Sequence, residues 1–156
     1  MRVLYLKKYL RNFYTFIKET STFEPSDSLA HFLTDAYDGD FIRTWLSNKE
    51  YETLQANLMS LTKKDNFLEV SNVFDEEGVS CYRISYTLFL KVLDEWEQAR
   101  SEAREYIVIE ISDNNNVHIY ATDEPELAQK METGSWWRRK YDNCISRAEI
   151  LWKKLF

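Results

Sequence analysis

Two histidines are the first places to look for chemistry. His31 stands four residues before Asp35, and Asp38 and Asp40 follow. A spacing of four puts two helical side chains on one face. The group therefore offers an imidazole and three carboxylates, the donor types of a divalent-metal site or a general base. Asp38-Gly39-Asp40 lacks the ligand spacing of a calcium loop, however. A surface histidine paired with Asp35 beside an Asp-rich turn accounts for the same residues. His118 lies between Val117 and Ile119 in a β-type run and reads as a solvent-facing strand residue. For catalysis, folding would have to bring it a carboxylate or a thiol. Cys81 and Cys144 are 63 positions apart and neither belongs to a Cys-x-x-Cys pair, so no zinc site is legible. Two reduced thiols are expected. No serine occupies a Gly-x-Ser-x-Gly elbow, and three glycines leave no phosphate-cradling loop. The expectation is no metal, no cofactor and no catalytic residue.

Charge carries more information. The chain has 20 basic and 26 acidic residues, net −6. Residues 1–20 and 136–156 are each +4, while residues 21–135 hold nine basic and 23 acidic groups, net −14. Such a body repels nucleic acid and anionic membranes and attracts a basic protein, a nuclease among them. The basic and aromatic run Trp136-Trp137-Arg138-Arg139-Lys140 could stack bases and hold phosphates. Beside so acidic a body it reads as packing plus ion pairs. Three acidic clusters stand out: Asp35/Asp38/Asp40, Asp75/Glu76/Glu77 and Asp123/Glu124/Glu126. All fall in turns or helix starts, where carboxylates are favoured anyway.

The elements that must hold these residues follow from periodicity. Residues 3–19 carry Leu4, Leu6, Leu10, Phe13, Phe16 and Ile17 among cations and read as a helix. Ser26 caps a second helix running to residue 37, a short third helix carries Phe41, Ile42, Trp45 and Leu46, and Ser47…Glu50 fits a capping box for a fourth over 51–62. The period then changes. Residues 67–84 read as a hairpin turning at Asp75-Glu76-Glu77-Gly78, with Tyr82 on its exposed face. Ser85 caps a long helix to about residue 104, and residues 106–122 form a second hairpin through Asp113-Asn114-Asn115-Asn116. A short helix to Gly134 and a final helix from Ser135 end the chain. The predicted fold is α+β. A helical N-terminal third is followed by hairpin, helix and hairpin forming one mostly antiparallel four-stranded sheet, with C-terminal helices packed on it. With 156 residues, 44% hydrophobic and 15% aromatic, the chain reads as a single domain over 1–156. It contains no apolar run of about 20 residues, and charges break the N-terminal apolar stretch early, so a cytoplasmic protein is expected.

The central stretch has a further character. Tyr82-Arg83-Ile84-Ser85-Tyr86, Phe89-Leu90, Val92-Leu93 and Trp96-Glu97 lead into Tyr106-Ile107-Val108-Ile109-Glu110 and Asn116-Val117-His118-Ile119. This cadence, over about 40 residues, resembles small immunity proteins that neutralise polymorphic bacterial toxins, contact-dependent inhibition systems included. The resemblance implies a non-enzymatic cytosolic protein that binds one toxin domain and blocks it. The expected partner-binding residues are Asp75, Glu76, Glu77, Tyr82, Asp123, Glu124, Glu126, Asp35, Asp38 and Asp40. Two alternatives stand beside it: a metal-assisted hydrolase using His31 and its aspartates, and a phage or mobile-element protein that binds a host factor.

Overall fold

A computed structural model of the chain describes residues 2–9, 14–16, 23–35, 37–75, 77–78, 80–123 and 153. Its N-terminal stretch is not helical. β1 (Arg2–Lys8) and β2 (Tyr14–Phe16) form an antiparallel pair. Leu4 and Leu6 stand two apart, the strand period, and Leu6 is fully buried. What decides the matter is a distant partner. β1 lies antiparallel to β7 (Tyr106–Ile111), with Leu6 opposite Ile107 and Leu4 opposite Ile109. Pairing of this kind overrides local helix propensity.

Two short helices follow, α1 (Asp27–Asp35) and α2 (Gly39–Ser47). Arg2 grips the Asp27 carboxylate with two hydrogen bonds, Nε at 2.9 Å and Nη2 at 2.7 Å, tying β1 to the start of α1. The capping box expected at Ser47 does not form. The Ser47 hydroxyl donates back to the Thr44 carbonyl, and Asn48 closes α2. The fourth helix is instead a hairpin, β3 (Thr53–Ala56) and β4 (Met59–Lys63). Leu54, Met59 and Leu61 are buried at alternating positions, and Asn57 takes the left-handed turn at φ 52°.

β5 (Phe67–Asn72) and β6 (Tyr82–Ser85) are joined by a long loop. The Ser85 hydroxyl then accepts from Leu88 N at 3.2 Å and starts α3 (Tyr86–Ser101). β7 and β8 (Val117–Thr122) complete the described elements. Among the described residues there are two four-stranded antiparallel sheets, in the orders β2-β1-β7-β8 and β3-β4-β5-β6. The hairpins at 67–84 and 106–122 therefore lie in different sheets, not in the common sheet expected. The residues taken as an all-helical third supply strands to both sheets. The helices expected after residue 122, and the Trp136–Lys140 run with them, lie outside the described residues, Lys153 apart.

One buried cluster joins the two sheets. It takes Leu6, Ile107 and Ile109 from the first, Leu61, Leu68 and Val70 from the second, Phe32 and Leu33 from α1, and Phe89, Val92 and Trp96 from α3. No described helix is long and apolar enough to cross a membrane.

Candidate functional site

The loop between β5 and β6 is built by polar side chains. Phe74 N donates to Asn72 Oδ1 at 2.9 Å, and Asp75 N to the Asn72 carbonyl at 3.0 Å. Asp75 Oδ2 accepts from Ser80 N at 2.5 Å and from the Ser80 hydroxyl at 2.6 Å. The same hydroxyl accepts from Asn72 N at 3.1 Å, and the Ser80 carbonyl accepts from the Ser28 hydroxyl of α1 at 2.6 Å. Gly78 supplies the left-handed corner at φ 73°. The loop is thus pinned at both ends. Pinning leaves Phe74 in solvent, 76% exposed.

A second turn sits beside it. Val73 N donates to the Leu58 carbonyl at 2.8 Å, and Leu58 is 52% exposed. The Asp35 carboxylate, at the end of α1, accepts from Leu58 N and from Asn57 Nδ2, both at 3.2 Å. One continuous set of bonds therefore joins Asp35, the 57–58 turn and the 73–80 loop. Asp35 of one acidic cluster and Asp75 of another, 40 positions later, thus belong to one bonded assembly, linked through Leu58 and Val73. Glu77 is exposed in this loop. Asp38 is occupied as the α2 cap, accepting from Phe41 N at 3.1 Å, and Asp40 and Phe41 are exposed in the first turn of that helix.

The third cluster is elsewhere. Asp123 Oδ1 accepts from Glu105 N at 2.6 Å, at the end of the β7–β8 pair in the first sheet. Glu76, Glu124 and Glu126 lie outside the described residues.

One expectation is corrected. Tyr82 is not an exposed aromatic: it is 6% exposed, lies opposite Val70 and faces the core with Ile84, while Arg83 and Ser85 face solvent. Ile84 and Leu68 are paired and buried, which fixes the phase of the alternation. Burial pushes the Tyr82 phenol above its ordinary pKa. Asp75, expected as a partner-binding residue, is occupied within the loop, which it organises through Ser80. The aromatic presented to solvent is Phe74: alternation with Leu68 and Val70 would place it on their side, but β5 ends at Asn72 and the loop turns it outward.

The groups considered for catalysis are dispersed. The His31 ring packs on Phe16 at 4.7 Å and Phe23 at 6.1 Å, while Asp35 turns to the 57–58 turn. Among the described residues, no three His, Cys, Asp or Glu side chains converge as a metal site. Burial, with Glu69 adding to it, pushes the Cys81 thiol up, so it stays protonated and weakly nucleophilic. Folding does bring His118 a carboxylate. Its Nδ1 lies 3.1 Å from Glu95 Oε1, with the Tyr120 ring stacked at 5.2 Å. The other Glu95 oxygen accepts from Ile119 N at 3.2 Å, which makes this contact part of a strand edge. Nothing in the spacing of residues 95 and 118 announced it.

No family model, curated protein or solved structure matches this chain.

Proposed function

We propose that the chain is a non-enzymatic binding protein that neutralises a basic protein, as an immunity protein neutralises a toxin domain, and that it acts in the cytoplasm. One observation carries this reading. Phe74 and Leu58 are held in solvent by a hydrogen-bonded scaffold, next to Asp35 and Glu77, in a segment whose net charge is −14. An apolar residue held rigid outside the core loses little entropy when a partner covers it. Carboxylates around it steer a cationic surface and keep other acidic proteins away. Phe74 and Leu58 are the anchors, and Asp35 and Glu77 are the steering charges.

The test is capture on the immobilised chain from source cells, followed by kinetics with the captured protein. The expected partner is basic, and its association rate falls at least about tenfold between roughly 50 and 500 mM salt. Phe74→Ala is expected to weaken binding at least tenfold, about 1.4 kcal/mol, with little change in melting temperature. Glu77→Lys slows association. A rate indifferent to salt overturns the steering, and full affinity in Phe74→Ala moves the contact away from this end.

A further inference from the structure

β3 is an edge strand of the second sheet, and no described strand pairs with its outer side. The hydrogen-bond phase of the edge is fixed by one bond. Lys63 N donates to the Glu52 carbonyl at 2.8 Å, one step beyond the Thr53–Thr62 pair. Bonded and unbonded pairs alternate in an antiparallel ladder. Leu54 and Ala56 therefore bond to β4, while Thr53 and Gln55 turn their N–H and C=O groups away from it. Both residues are exposed, and among the described residues nothing bonds to their outward groups. The first sheet shows what a guarded edge looks like: Lys91 Nζ donates to the Val117 carbonyl of β8, and Glu95 accepts from Ile119 N. Side chains used in this way keep another strand from adding. β3 carries no such guard among the described residues.

Charge decides what fits this edge. Residues 21–135 carry −14 and repel other acidic chains. The open end of the β3–β4 hairpin is different, because Lys49, Lys63 and Lys64 balance Glu50, Glu52 and Asp65 there. A neutral edge gives a cationic strand little extra and opposes a second copy little. The geometry is also self-complementary. The free groups at 53 and 55 are symmetric about Leu54. With Leu54 on a two-fold axis, Thr53 falls opposite the partner's Gln55 and Gln55 opposite the partner's Thr53, and each pair exchanges both bonds. The same register sets Glu52 against the partner's Ala56 and Glu50 against the partner's Leu58, so no like charges face each other. It also brings Tyr51, 61% exposed, to the partner turn that holds Leu58, 52% exposed.

We infer that the chain forms a two-fold dimer through β3, in which the second sheets of two copies join edge to edge as one antiparallel sheet. Thr53 and Gln55 supply the main-chain bonds, and Tyr51 and Leu58 cover each other at the two ends. β3 is short, so the contact is smaller than a standard interface, and its dissociation constant is on the order of 0.1 mM. This contact needs no outside partner and so stands or falls separately from the proposed function.

The test uses the full-length chain alone. Sedimentation equilibrium from about 10 µM to about 1 mM is expected to show monomer passing to dimer. Salt should strengthen the association, because each copy carries a net charge of −6. The Thr53 and Gln55 amides should exchange fast in dilute solution and slow about threefold or more over the same concentration range. Gln55→Pro removes an outward donor and leaves the ladder to β4 intact, so it should stay monomeric at about 1 mM with the Leu54 and Leu61 amides still protected. A wild-type chain still monomeric at about 1 mM overturns the dimer. So does a dimer whose Thr53 and Gln55 exchange ignores concentration, or one that persists in folded Gln55→Pro. Thr53 and Gln55 amides already protected in dilute solution mean that the chain itself fills the edge, and overturn it as well. If Gln55→Pro does not fold, the wild-type exchange decides alone.

Discussion

Gly39 shows how closely single residues are fitted. A Cβ at this position would meet Glu97 Oε1 at 2.1 Å, the Tyr37 hydroxyl at 2.8 Å and Arg43 Nη1 at 2.9 Å. Those three groups form one network. Arg43 grips Glu97 through two bonds at 2.7 and 3.0 Å and reaches Asp94 at 2.9 Å, while the Tyr37 hydroxyl donates to Glu97 Oε1 at 2.5 Å. Glu97 can swing away from an added methyl group only by giving up Tyr37 and Arg43. Gly39→Ala is therefore expected to cost about 1–2 kcal/mol, read by urea denaturation at neutral pH. The pH dependence has a defined sign. Hydrogen bonding from Arg43 holds the Glu97 carboxyl below its usual range. A depressed carboxyl contributes stability above its unfolded pKa and loses it as pH falls through the folded value. The gap between wild type and Gly39→Ala should accordingly narrow in acid, below the ordinary glutamate range, and Glu97→Gln should remove that narrowing. A gap of constant size would show that the glycine acts through something other than Glu97.

At the scale of elements, two helices are closed by lysines from strands. Lys63 Nζ, on β4, donates to the Trp45 and Asn48 carbonyls at 2.5 Å each and lies 4.5 Å from the Trp45 ring centroid. Lys8 Nζ, on β1, donates to the Ala99 and Glu102 carbonyls at the end of α3, both at 2.7 Å. α2 has no basic residue in its own last turn, so the cation that meets its dipole is borrowed from a neighbour. Lys63→Met should destabilise by about 1–3 kcal/mol, whereas Lys64→Met, on an exposed side chain, should be nearly silent. Equal effects would deny the cap. The same borrowing explains what the sequence concealed. Ser85, Asn115 and Gly78 act within a few residues of themselves, so α3 and the corners of both hairpins were legible from local chemistry. The stretches 3–19 and 51–62 were not, because Leu6 needs Ile107 and Leu61 needs Val70 to become strand residues. Of the site, the acidic clusters were visible, and the link from Asp35 to the later loop was not. Asp35 reaches the 73–80 loop only through Leu58, and alternation from Leu68 and Val70 would point Phe74 inward.

At the scale of the molecule, the question is whether two sheets behave as two units. The first sheet is closed by its earliest strand, since β1 lies between β2 and β7. It forms only when the two ends of the described chain meet, a contact of large sequence separation that is slow to reward its loop-closure entropy. The second sheet is a meander of neighbouring strands, β3 to β6, and could form from local contacts alone. What couples them is the cluster in which α1 and α3 carry side chains against both, with Leu6, Phe89, Trp96 and Leu61 all fully buried in it. If that cluster is a single cooperative unit, damage on β1 must be felt on β4. Leu6→Ala removes a fully buried side chain and should cost about 2–5 kcal/mol. Native-state amide exchange should then show the loss equally at Ile107 and Ile109 in the first sheet and at Leu61 and Val70 in the second, because exchange from the most protected amides reports global opening. Loss of protection confined to β1 and β7, with β4 and β5 unchanged, would make the meander an independent folding unit. Phe74 and Leu58 would then be presented by a scaffold that does not need the terminal strand.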